Sequence, residues 1–188
     1  MIIDKTIINK CKQKDRKAQE ELYYKIYPYI MGICYRYFLS KDDSKEIANM
    51  AIYKILTNIQ NYDDNYAFST WVSKITVNEI LSEFRKRKKY EHINYVDTYY
   101  DNKDVSVINE YLETMNYKEI LNLIEKLSEM EKVIFNLFFI DGLSHKEISG
   151  QLNISESASK WYLNQAKNKL RNLLKNEKNK NIKNTINE

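Results

Sequence analysis

Between Ala18 and Lys89 apolar residues return every three or four positions, the spacing that lays one face of an α-helix on a core. Three helices are predicted. The first carries Leu22, Ile26, Ile30, Ile33 and Tyr37, with Pro28 placed to kink or divide it. The second starts behind the cap cluster Ser40-Lys41-Asp42-Asp43, turns Ile47, Met50, Ala51, Ile55 and Ile59 inward, and ends near Asn61. After the polar stretch Tyr62-Asp63-Asp64-Asn65-Tyr66 comes a third, with Phe68, Trp71, Val72, Ile75, Ile80, Leu81 and Phe84. It runs out into Arg85-Lys86-Arg87-Lys88-Lys89.

The pattern then fades. Positions 90–115 set Glu91, Asp97, Asp101, Asp104, Glu110 and Glu113 against a single Lys103, with weak periodicity, which predicts a partly disordered acidic linker. From Asn116 helical spacing resumes. Ile120, Leu123, Ile124 and Leu127 predict one helix, and Val133, Ile134, Leu137 and Phe138 a second, closed by Asp141-Gly142. Ser144 caps a short helix from His145 to Leu152, and the turn Asn153-Ile154-Ser155 leads into a last helix with Leu163, Ala166 and Leu170 inward. The polar tail 176–188 is expected to fray. The expected fold is all-α: two small helical domains, 1–89 and 116–175, joined by the acidic linker 90–115, the C-terminal one a helix-turn-helix.

That motif is indicated by a short helix, a three-residue turn with Ile154 as its apolar plug, and a capped basic helix. Outward from the second helix project Ser157, Lys160, Trp161, Asn164 and Gln165, a set able to reach base edges, with Lys167, Lys169 and Arg171 further along for phosphates. Trp161 is the oddity, a large apolar ring on the polar side. Either it meets a thymine methyl or sugar edge in the major groove, or with Tyr162 it props the helix against Phe138 or Phe139.

Composition narrows the alternatives. Three Gly and one Pro argue against a turn-rich β architecture. The net charge of +4 says less than its placement: the five cations at 85–89 are either a solvated helix end or a seat for polyanion. Cys11 and Cys34 show neither metal-ligand nor disulfide-framework spacing, and His145 reads as a solvent-facing or helix-start residue, with His92 in the linker. No phosphate cradle and no nucleophile with its base are present, so no enzyme, cofactor or metal is expected. The stretch MIIDKTIINKCKQ lacks the uninterrupted apolar run of a signal peptide and no segment approaches the ~18 apolar residues that span a bilayer, so a cytoplasmic protein without membrane insertion is expected.

The stretch FFIDGLSHKEISGQLNISESASKWYLNQAKNKLRNLL, Phe138 to Leu174, resembles the second DNA-binding domain of extracytoplasmic-function (ECF) sigma factors in the sigma-70 family. Separately, NYDDNYAFSTWVSKITVNEILSEFRKRKK, Asn61 to Lys89, resembles the promoter-melting half of their first domain, and Ala18 to Gln60 matches more weakly. The resemblance implies an RNA polymerase specificity subunit whose first domain opens the minus-10 element and whose second reads the minus-35 element. It implies core polymerase, through its β′ and β subunits, and promoter DNA, duplex and melted, as partners, and admits an anti-sigma factor.

It also assigns residues. Asn78 falls where a flipped non-template base is held, and Tyr62 to Ala67, with Asp63, Asp64 and Asn65, would form the loop around it. Arg85, Lys86, Arg87 and Lys88 would hold the displaced strand, and Trp71 is either a core anchor or a wedge at the melting edge. The second helix would dock on the β′ coiled coil through Glu46, Asn49 and Lys54, and the linker would thread the RNA-exit path. This chain departs from the family at Asn49-Met50, where an acid commonly follows Gln, and at Trp161 and Gln165, where a small polar residue and Arg are common. Two rivals stand beside the sigma-factor assignment: a dimeric helix-turn-helix regulator on a palindromic site, and an adaptor that mimics a sigma factor without binding DNA.

Overall fold

The computed structural model describes residues 1–38, 40–88 and 117–186. Among these every regular element is helical, and no helix is long and apolar enough to cross a membrane. The chain divides into two compact units, Met1–His92 and Ile93–Glu188. The expected linker, 90–115, lies outside the described residues.

In the first unit α1 (Lys5–Lys12) and α2 (Arg16–Tyr37) precede α3 (Lys41–Thr57), a 3-10 turn (Ile59–Asn61) and α4 (Phe68–Lys88). α1 lies ahead of the first helix that the periodicity announces. Asp4 starts it by accepting from the Thr6 amide at 2.8 Å, and it buries Ile8 and Cys11 against α2. Pro28 does not divide α2, which runs unbroken through it. The carbonyl that loses its donor is that of Tyr24, and both residues lie on the exposed side, where water can replace the missing amide.

α3 begins earlier than expected, because Ser40 accepts from the Asp42 and Asp43 amides at 3.2 and 3.3 Å. Its buried stripe is Ser44, Ile47, Ala48, Ala51, Ile52 and Ile55. Met50, expected inward, is 45% exposed, because the buried stripe runs through Ala48 and Ile52, and a residue two positions from each points to the opposite side of the helix. In α4 Val72, Val77, Ile80, Leu81 and Phe84 are buried, while Ile75 is half-exposed. Cys34 lies fully in this core, and burial pushes its thiol up to about 12; burial likewise raises Cys11 to about 11, so both are inert as nucleophiles at neutral pH.

In the second unit α5 (Tyr117–Ile124), α6 (Glu129–Phe135) and α7 (His145–Leu152) pack on α8 (Glu156–Ile186). α8 carries on to Ile186, into the stretch 176–188 expected to fray. The second expected helix of this unit changes pitch midway: α6 passes into a π-helical turn, Asn136–Ile140. The wider turn rotates the residues beyond it about the helix axis. Phe135 and Leu137 are buried, but Phe138, expected in the core, is half-exposed and Ile140 is 42% exposed. Gly142, at φ +72, closes the turn as expected, with the Leu143 amide donating to the Leu137 carbonyl at 2.9 Å.

Ser144 accepts from the Glu147 amide, and Glu147 accepts from the Ser144 amide at 2.8 Å, a reciprocal cap that starts α7. Asn153 ends it at φ 54, a left-handed residue that turns the chain into α8. His145 does begin a helix, and it is half-buried there. Its ring stacks on Phe138 at 4.8 Å between centroids, and Nδ1 lies 2.9 Å from Ser159 Oγ on α8.

Burial pulls the His145 imidazole below the usual histidine range; Lys160 and Lys167 push the same way and Glu156 opposes them. The unfolded chain therefore takes up the proton first, so the stability tied to neutral His145 is complete above the unfolded value of about 6.5 and drains away as pH falls toward the lower folded value. In a Trp71→Phe background, urea unfolding followed by Trp161 fluorescence should show the second unit weakening below about pH 6.5, and His145→Asn should flatten that part of the profile.

Candidate nucleic-acid interface

The outer face of α4 is set by what its inner face buries. With Val72, Thr76, Ile80 and Phe84 inward, the residues seven apart on the other side are Trp71, Asn78 and Arg85, each about 10 Å further along the axis. Asn78 and Arg85 are exposed, and Trp71 is half-buried. Lys74, exposed one turn before Asn78, belongs to the same face. It is absent from the set expected of the sequence, although its position four residues before Asn78 was legible.

Trp71 is anchored on one side and open on the other. Its ring packs 5.4 Å from Tyr62 and 5.7 Å from Phe68, and those two meet edge-on at 5.0 Å, while the indole keeps an outward part. Tyr62 is thus the buried root of the loop rather than an open wall: it is 8% exposed, and its hydroxyl donates to the Tyr66 carbonyl at 2.6 Å. Burial raises its phenol pKa, Asp64 and Asp63 adding to the effect, so it stays a donor. Asp63 accepts from the Asn65 amide at 3.0 Å, Asp64 lies 3.8 Å from Lys12, and Tyr66 is 68% exposed at the tip.

The cations at the end of α4 do not form one uniform group. Arg87 bonds Asp43 at 3.0 Å and Glu83 at 3.1 Å, with its guanidinium 5.5 Å from the Phe38 ring, which itself stacks on Phe84. Hydrogen bonding to Asp43 raises its pKa further. Arg85 and Lys86 point outward, Lys86 lying 3.6 Å from Glu83 with its side chain 71% exposed. Lys88 is the last residue of the helix.

On α3 the expected residues separate as well. Glu46 and Asn49 are exposed as expected, Asn49 accepting from the Tyr23 hydroxyl at 3.3 Å, and Met50 and Tyr53 share that outer face. Lys54 turns instead toward α4, where its ammonium meets Glu79 at 2.5 Å; Glu79 is 8% exposed. A carboxylate so placed needs a partner, and the ion pair ties the two helices beside Asn78.

The outward set on α8 lies where the sequence put it. Ser157 and Lys160 are exposed, and Trp161, Asn164 and Gln165 are half-exposed, opposite buried Ala158, Leu163, Ala166 and Leu170. Trp161 sets its ring edge-on to the buried Tyr162 at 4.9 Å. Lys167 overturns its expected phosphate role: it is 7% exposed, its ammonium 5.7 Å from the Phe139 ring, and burial lowers its pKa with Arg171 adding. Lys169 pairs with Glu131 at 3.5 Å, and Arg171 donates to Asn168 at 3.2 Å. Among the described residues no group of three or more His, Cys, Asp or Glu side chains is arranged to hold a metal ion.

Comparison with known proteins gives this geometry its context. Residues 22–90 match the family described as Sigma-70 region 2, and residues 112–170 that described as Sigma-70, region 4. The chain is 30% identical over 138 residues to the RNA polymerase sigma factor SigZ of Bacillus subtilis, covering 71% of this chain and 72% of that one. It is 28% identical over 160 residues to the ECF RNA polymerase sigma factor SigW of the same organism, covering 78% and 83%. A solved complex of the sigma factor RpoE with the anti-sigma factor NepR from Bartonella quintana aligns at 15% identity and a TM-score of 0.47, over 83% of this chain and 96% of that one. Region 2 occupies the place where a dimeric helix-turn-helix regulator would carry its ligand-binding or dimerisation domain, and the chain belongs to the sigma-70 family as an RNA polymerase sigma factor of the ECF type.

Proposed function

We propose that the first unit opens and reads the minus-10 element, that the second reads the minus-35 duplex, and that core polymerase docks on the outer face of α3. The observation that carries the reading is the α4 stripe of Trp71, Asn78 and Arg85 beside the loop from Tyr62 to Ala67. Single-stranded DNA is held by an aromatic surface for a base, a polar group for its edge and a cation for the backbone. Those three kinds of group occur here on one helix face, in that order.

On α8 the amides of Asn164 and Gln165 and the ammonium of Lys160 offer what base edges and phosphates require, and the outward part of Trp161 offers an apolar contact for a thymine methyl. Glu46 and Asn49, flanked by Met50 and Tyr53, give α3 a mixed face suited to a partner helix. The factor works in the cytoplasm by binding alone, without cofactor or covalent chemistry.

Core polymerase plus this chain should start transcription at discrete sites on genomic DNA, read by sequencing the transcripts. Tight duplex binding by the chain alone, with no co-purification of polymerase, rejects the reading. Asn78→Ala should lower open-complex formation about tenfold or more while folding stability stays within about 0.5 kcal/mol. The cations at the end of α4 should respond differently from one another. Arg87→Ala should cost about 1 kcal/mol of stability through its lost ion pairs and ring contact, measured by urea unfolding. Lys86→Ala should instead leave stability within about 0.5 kcal/mol and make the salt dependence of promoter binding shallower by about one. Trp161→Ala separates readout from propping: lost minus-35 selectivity at an unchanged melting temperature is the expected result, and a lowered melting temperature with selectivity kept reverses it.

A further inference from the structure

We propose that Lys12 is a positioning residue for promoter melting, holding the loop that captures the flipped base from a helix that lies outside the part of the chain matched to Sigma-70 region 2. This rests on the loop reading above and deepens it. Lys12 is the last residue of α1, ten positions before the matched span of 22–90 begins. Its ammonium donates to the Tyr62 carbonyl at 3.1 Å, lies 5.6 Å from the Tyr62 ring centroid and stands 3.8 Å from Asp64. Its own carbonyl accepts from Gln60, so both ends of this residue are bonded to the chain that enters the loop.

The end of α1 that carries Lys12 is packed on the core. Ile8 and Cys11 are buried against α2, which makes Lys12 a fixed post rather than a loose surface lysine, and its side chain is only 25% exposed. The loop is therefore latched twice, at its root by Lys12 on the Tyr62 carbonyl and toward its tip by the Tyr62 hydroxyl on the Tyr66 carbonyl. A pocket for one extruded base works only if its walls stand in place before the base arrives, and small misplacements are costly. Lys12 supplies that standing geometry without touching the base.

The test uses holoenzyme, core polymerase with the full chain, and a fluorescent single-stranded oligonucleotide carrying the non-template minus-10 sequence mapped for the wild type. A second oligonucleotide has the captured base replaced. Lys12→Ala should reduce the preference for the correct oligonucleotide by about tenfold, with core binding unchanged, and Lys12→Arg should keep most of it. Lys12→Met, which keeps the hydrocarbon stem over Tyr62 but cannot donate, covers the case in which the alanine variant folds poorly, and the same loss is expected. Full preference in the methionine variant overturns the proposal. So does an equal loss on both oligonucleotides with a salt dependence shallower by about one, the mark of a phosphate contact. Wild-type holoenzyme with no preference removes the loop reading itself, whereas a selective wild type with unaffected variants removes this inference alone.

Discussion

Glu79 is a carboxylate turned into helix packing, and the fit of α3 on α4 depends on its meeting Lys54. A charge at 8% exposure without a partner would cost several kcal/mol; with an ammonium at 2.5 Å it becomes a tie between α3 and α4. Lys54 keeps half of its side chain in water, which softens the pair without removing it. Asp43 and Arg87 make a second tie nearer the ends of the same two helices, capped by the ring of Phe38. Two cross-links along one helix pair fix both rotation and slide. The outer faces of α3 and α4, proposed above to meet polymerase and DNA, are then held at a set angle, so that under that proposal docking on one partner orients the other.

The helical architecture was legible because burial leaves a period. The stripes of α2, α3 and α4, the short helix with its reciprocal cap, and the outward set Ser157, Lys160, Trp161, Asn164 and Gln165 are all consequences of spacing and capping chemistry. Spacing does not convey the rotation of a helix by one residue, and two apolar residues lie off the expected face for that reason. Met50 went outward because the buried stripe runs through Ala48 and Ile52 on the opposite side, and Phe138 turned with the π-helical segment toward the surface. α1 escaped notice since eight residues with two buried positions give too little period to stand out.

Charge was the poorer guide. A lysine or arginine on a sequence map looks like a ligand for phosphate, but whether it reaches solvent depends on partners far along the chain. Asp43 lies forty-four residues from Arg87, and Glu79 twenty-five from Lys54. Lys167 shows the other way a cation can be withdrawn, its stem buried and its head over the Phe139 ring. His145 belongs with these: its place at a helix start was readable, but its burial between Phe138 and Ser159 arises from contacts that only the fold creates.

The engagement of Arg87, Lys167 and Lys169 within the fold bears on the life of the free protein. Non-specific affinity for DNA scales with the number of cations able to displace counterions, and a genome offers about a million or more wrong sites. A factor that displayed every cation of its sequence would be soaked up by bulk chromosome before it found its enzyme. Keeping these three engaged inside their own units leaves the unbound molecule fewer cations to offer ordinary duplex, which lowers the pull of wrong sites on it.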